Sequence, residues 1–129
     1  VPEALLAAEH GATAMHDPTE GGVAMGLYEL ATASGVGISL DLDAIPVLPV
    51  TRTICRVFGV NPLGVISSGT LLLTIPPERW SRLQDALRER SLPAQVIGTV
   101  QRDPGIRATA GGRPQPFTYS EKDELTKIL

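Results

Sequence analysis

Cysteine occurs once in this sequence, at Cys55. A disulfide within the 129 residues is therefore excluded, and no His/Cys cluster has the spacing of a metal site. A lone thiol suits a reducing compartment, so a cytoplasmic location is expected. Positive charge is also scarce: 11 Lys and Arg stand against 14 Asp and Glu, giving a net charge of −3. That balance argues against a nucleic-acid partner and against a membrane surface. No apolar run reaches the 18 residues of a membrane span, and no secretory signal opens the chain. Internal repeats and low-complexity stretches are absent too.

What is there suits one folded domain. Apolar residues make up 43% of the chain, and 129 residues can bury a core of their own. The chain opens on Val1 rather than Met. A trimmed piece is the expectation, with part of any active site carried elsewhere.

Periodicity predicts a short helix over residues 3–10, capped by Gly11, and a short strand over 12–15. Val23, Leu27, Leu30 and Ala31 recur at helical spacing between Gly21 and Ser34, and Gly35 closes that helix. Residues 36–42 alternate as a half-buried strand. Residues 44–50 form a proline-rich connector. A helix over 51–58 should place Ile54, Val57 and Phe58 on one side. "TLLLTI" (70–75) reads as a central strand buried on both faces. A helix over 78–90 carries Trp80, Leu83 and Leu87 as its apolar stripe, with Trp80 as an anchor. Strands at 94–100 and 106–110 are expected to pair as a hairpin through an "RDPG" turn, and the last residues to form a small charged helix or a frayed terminus. The order describes a mixed β-sheet with packed helices, an α/β or α+β domain.

One stretch resists a purely structural account: "HDPTEGGVAM", His16–Met25. Asp17, Pro18 and Glu20 suit an N-cap, a first helical residue and a capping-box partner. Gly21 and Gly22 do not suit a helix start, because Gly costs about 1 kcal/mol against Ala in a helix. Their bare backbone admits close approach, either of a phosphate at the helix N-terminus or of a packing neighbour, and both readings stay open. Glu20 would repel a phosphate unless it points away or shares a Mg²⁺ with it. A second glycine loop, Ser67-Ser68-Gly69-Thr70, offers hydroxyls and a turn before a strand.

Other candidates have simpler explanations. Adjacent residues of an extended segment point apart, so His16 and Asp17 are not expected to act as a unit. His10 is read as a helix-end residue, Asp41 and Asp43 as solvated, and Cys55 as buried and inert. No catalytic residue and no metal ligand is identified from the residues alone.

The ordered motifs resemble the C-terminal domain of the AIR synthase-related (PurM-like) superfamily, nearest to its hydrogenase-maturation (HypE) branch. "MHDPTEGGVAMGLYELATASGVGISLDLDAIPV" (15–47), "CRVFGVNPLGVISSGTLLLTIPPE" (55–78) and "AQVIGTV" (94–100) carry the resemblance, which covers residues 12–110. It implies a single C-terminal domain over 1–129 that closes a nucleotide cleft, with the ATP-binding N-terminal domain lying outside this chain. It further implies ATP with Mg²⁺, phosphoryl transfer as the chemistry, the chain's own N-terminal domain as partner, and a homodimer at full length. Alone, the domain should be inactive.

By motif match, Asp17, Thr19, Gly21 and Gly22 would touch the phosphate side, with Ser67, Ser68, Gly69 and Thr70 as a second loop. Three features depart from that branch. Glu20 stands for an arginine, Ser67–Thr70 for Asn-Glu-Gly-Lys, and the final "ELTKIL" carries no cysteine. The substrate is thus unassigned. The alternative expectation is a binding or assembly module that keeps the fold without the chemistry.

Overall fold

The computed structural model describes residues 2–67 and 69–128. Among the described residues, four helices and six strands follow one another, alternating until the last three strands. They are α1 (Pro2–Glu9), β1 (Ala14–His16), α2 (Gly22–Ser34), β2 (Gly37–Asp41), α3 (Pro49–Phe58), β3 (Leu72–Thr74), α4 (Pro77–Glu89), β4 (Gly98–Gln101), β5 (Gly105–Ala110) and β6 (Arg113–Gln115). Short 3-10 turns follow at Leu42–Ala44, Pro62–Gly64 and Glu124–Lys127. The fold is the mixed α/β arrangement that the sequence predicts.

The strands form two sheets rather than one. The larger has the order β4-β2-β5-β6. In it β2 runs antiparallel to β4 and parallel to β5, with Ile38 opposite both Val100 and Ile106, so β4 and β5 do not pair as the expected hairpin: β2 is inserted between them. The smaller is a ribbon in which β1 and β3 run antiparallel, Met15 opposite Leu73. "TLLLTI" is therefore not the centre of a sheet, because β3 pairs only with β1. Its apolar run has another cause. Successive side chains of a strand point to opposite faces. Leu72 belongs to the core around α2 and β2, whereas Leu73 and Ile75 pack on the core between α1 and α4. The ribbon is a partition with a core on each side.

Helix α2 is built as its pattern predicts. Leu27, Leu30 and Ala31 are buried against Ile38 and Leu40 of β2. Gly35 ends the helix in the left-handed conformation, and its N–H donates back to the last turn. Its start differs from expectation. No capping box forms: Gly21 is the N-cap, left-handed at φ 77°, and no side chain within the loop caps the helix. Pro18 lies before the helix and is fully buried, tight against the position a Cβ of Gly26 would take.

Helix α4 buries Leu83 and Leu87 against Leu6 and Ala7 of α1, with Trp80 packed at the edge. Helix α3 behaves differently. Cys55 is its buried residue, as expected, but Ile54, Val57 and Phe58 face outward, Val57 at 75% exposure. The β5–β6 hairpin, absent from the sequence reading, turns on Gly111 and Gly112, both at positive φ. Positive φ at both central positions is what a tight primed hairpin turn requires. The final turn is 3-10 rather than α.

Candidate functional site

The two glycine loops come together at the head of α2. The Thr19 carbonyl accepts two backbone hydrogen bonds, from Gly22 N–H at 3.0 Å and from Ser67 N–H at 3.3 Å. Across the second loop Thr70 N–H donates to the Ser67 carbonyl at 3.2 Å, and the two hydroxyls lie 2.9 Å apart. Asp17, Thr19, Glu20 and Gly69 are exposed; Ser67 and Thr70 are half-buried. Ser68 lies outside the described residues. Beside Gly69, a Cβ would meet nothing within 4 Å.

Gly21 and Gly22 are buried, and packing within this chain accounts for both. Gly22 adopts φ 65°, and a Cβ on it would lie 2.4 Å from the Val65 carbonyl oxygen and 2.5 Å from that of Leu63. No real side chain tolerates such distances, so the backbone of residues 63–65 can approach only a glycine. A Cβ on Gly21 would lie 2.7 Å from the Ser120 carbonyl oxygen. The Gly21 N–H donates to Asp123 Oδ2 at 2.9 Å. Asp123 is 8% exposed, and its other oxygen accepts from Leu125 N–H at 3.0 Å. Both glycine amides thus have partners inside the chain.

Asp123 was not foreseen as part of this region. "KDELT" carries the local signal of an Asp capping a short turn, which Asp123 does. Nothing in the sequence shows that its second oxygen reaches a residue 102 positions away.

The remaining candidates are placed as follows. His16 pairs with Glu29 rather than Asp17, Nε2 to Oε2 at 2.6 Å, because β1 packs on α2. His10 Nδ1 donates to the Leu6 carbonyl at 2.8 Å, as a helix-end residue does. Asp41 accepts from Asp43 N–H, and Asp43 accepts from Gly111 N–H at 2.6 Å, so both carboxylates serve turns. Tyr119 stacks on Tyr28 with ring centroids 4.0 Å apart. The Tyr28 hydroxyl, then burial, push the Tyr119 phenol up from its ordinary value.

Chemically, the joined loops present hydroxyls and carboxylates without a lysine or arginine of their own. Among the described residues no three His, Cys, Asp or Glu side chains are grouped to hold a metal, and no helix is long and apolar enough to cross a membrane. The fit to a bound Mg²⁺-nucleotide is therefore partial. The Ser67 and Thr70 hydroxyls meet in the second loop and Thr19 is exposed beside it, whereas the amides of Gly21 and Gly22 are engaged.

A mixed sheet with a helix entered through a paired-glycine loop, and a second glycine loop bonded to it, defines a mixed α/β domain. The chain belongs to the AIR synthase related protein, C-terminal domain family, whose profile matches residues 1–111. It is 42% identical over 102 residues to carbamoyl dehydratase HypE of Azotobacter vinelandii, a match covering 78% of this chain and 30% of that protein. Among solved structures, HypE from E. coli superposes with a TM-score of 0.84 at 27% identity, over 99% of this chain and 42% of that one. A hydrogenase maturation protein HypE solved in complex with ATP superposes with a TM-score of 0.76 at 27% identity, over 92% of this chain and 38% of that one. The chain thus spans under a third of the length of the curated relatives it matches.

Proposed function

We propose that this chain is the C-terminal domain of a HypE/AIR synthase-like ATP-dependent enzyme of unassigned substrate. It closes the nucleotide cleft with the joined loops, Asp17, Thr19, Gly21 and Gly22 from one and Ser67, Ser68, Gly69 and Thr70 from the other. The observation that carries this reading is the hydrogen bond from Ser67 N–H to the Thr19 carbonyl, which makes one rim of two loops far apart in sequence. Family membership and the ATP complex of a relative support it.

The rest of the site belongs to an N-terminal half, and the working form is a homodimer of two-domain chains. In that frame ATP is a substrate delivered with Mg²⁺. This domain's contribution is hydroxyls and backbone dipoles at the phosphate side, where fixed donors stabilise charge as it develops. The test is phosphate release by a two-domain protein carrying this domain, with ATP binding followed by calorimetry. Thr19→Ala should lower turnover about a hundredfold or more, on the scale of losing one charge-stabilising donor. Absence of both ATP binding and phosphate release from the parent protein would defeat the reading.

A second reading, an assembly module without chemistry, is favoured by one feature. The rim carries Glu20 and no cation, so an anionic ligand meets a repulsive charge there. Under that reading Glu20→Arg and Thr19→Ala leave biological activity unchanged.

A further inference from the structure

Helix α3 buries one side chain in its 10 residues, Cys55. An isolated helix shorter than about 12–15 residues is marginal in water, so packing on a neighbour must hold it. Yet its other apolar side chains stand in solvent: Val50 at 62% exposure, Ile54 at 51%, Val57 at 75% and Phe58 at 55%. At 3.6 residues per turn these four share one stripe, turned away from Cys55. Val50, Ile54 and Val57 follow the 4-3 spacing of a helix–helix seam. Charge on this part of the chain is one-sided too. From Ala44 to Pro77 the sequence holds no Asp or Glu, in a chain whose net charge is −3. Its charged residues are Arg52 and Arg56, both exposed, and neither pairs with a carboxylate among the described residues.

We propose that the outer face of α3 docks an acidic amphipathic helix of a partner protein. The stripe sets the shape of the occupant, because apolar residues at i, i+4 and i+7 receive the matching seam of a second helix. The arginines set its charge. Arg52 and Arg56 are neighbours four apart, on one flank of the stripe beyond Thr53, where carboxylates flanking the partner's seam meet them. A second copy of this chain fits poorly, since α3 against α3 joins two cationic helices with no acid between them. An anionic bilayer fits poorly as well. Two basic residues fall short of the about 4–8 that hold a segment to acidic lipid, and the chain as a whole is acidic. The surface owes nothing to the nucleotide chemistry proposed above.

The probe is a synthetic peptide of about 18 residues, long enough to fold as a helix on the surface, with Leu at the seam positions and Glu and Ala elsewhere. Its binding to the 129-residue protein is followed by fluorescence anisotropy and amide NMR shifts. The peptide should bind, with shifts concentrated in residues 48–59, and its affinity should fall as salt rises. Ile54→Ser should weaken it about tenfold or more, the scale of a central interface anchor. Arg52→Glu combined with Arg56→Glu should abolish binding of this peptide and confer binding of its Lys-for-Glu counterpart. These side chains are exposed, so the variants should keep the urea midpoint of the parent. No binding of the acidic peptide, equal binding of the Lys counterpart by the parent, or shifts away from α3 overturns the proposal. So does a dimer in sedimentation that Ile54→Ser dissociates, which makes a second copy the occupant. Capture of the protein by phosphatidylserine vesicles without peptide binding overturns it in favour of a bilayer. Loss of peptide binding in a two-domain protein, with the α3 amides protected from exchange, overturns it in favour of the protein's own second domain.

Discussion

Two glycines in one loop are under different demands from a third nearby. Gly22 is held at φ 65° with two carbonyl oxygens within 2.5 Å of any added Cβ. Gly69 is at φ 89° in open space. Left-handed backbone alone costs a residue with a Cβ about 1–2 kcal/mol. Gly69→Ala should therefore lose about 1–2 kcal/mol. Gly22→Ala adds a clash with backbone that cannot rotate away, and should lose about 3 kcal/mol or more. Urea unfolding of the two variants checks the difference. Equal losses would show that the 63–65 segment yields easily, and that packing is not what demands glycine at position 22.

Elements were legible where one face alone is buried. Helices α2 and α4 repeat Leu at helical spacing, β2 alternates, and the structure buries those faces. The sequence was less informative where the cause is long-range. The apolar run of β3 looks central because it touches two cores, one on each face of a two-stranded ribbon. The apolar side of α3 looks like a core face, yet only Cys55 turns inward. The candidate loops could be read from their glycines and hydroxyls. The bond joining them could not, since it is made by backbone atoms, and neither could Asp123, since distant carboxylates leave no periodic signal.

Val57→Lys on the outer side of α3 should change stability by no more than about 0.5 kcal/mol, as for other exposed sites. A loss of several kcal/mol in urea would show that face to be packed. The Tyr119–Tyr28 stack should respond to alkali. Tyr119 has a raised phenol value in the folded chain, so its stack is fully favourable below the ordinary tyrosine value of 10.0 and is lost as pH rises through the raised value. Hydrogen exchange at residues 120–126, corrected for intrinsic rate, should accelerate above pH 10 in the parent chain. In Tyr119→Phe that step should shrink.

At the scale of the whole molecule, the β1–β3 ribbon has a consequence for cooperativity. One core gathers Leu27, Leu30, Ile38 and Leu40, and the other Leu6, Ala7, Leu83 and Leu87. Were they independent, each would unfold with its own midpoint. They share β3, however: Leu72 projects into the first, Leu73 and Ile75 into the second. Neither face of so short a ribbon can be uncovered without exposing a strand that lacks other partners, and a two-stranded ribbon is marginal by itself in water. The two cores should therefore melt together. Trp80, the only tryptophan, packs on the second core, so its fluorescence reports there, while circular dichroism reports on both. Leu40→Ala, in the first core at 1% exposure, should destabilise by about 3 kcal/mol through lost burial and the cavity left behind. The Trp80 midpoint in urea should fall as far as the dichroism midpoint. A Trp80 transition that stays in place while the dichroism splits into two steps would show the ribbon to be a seam between separate folding units.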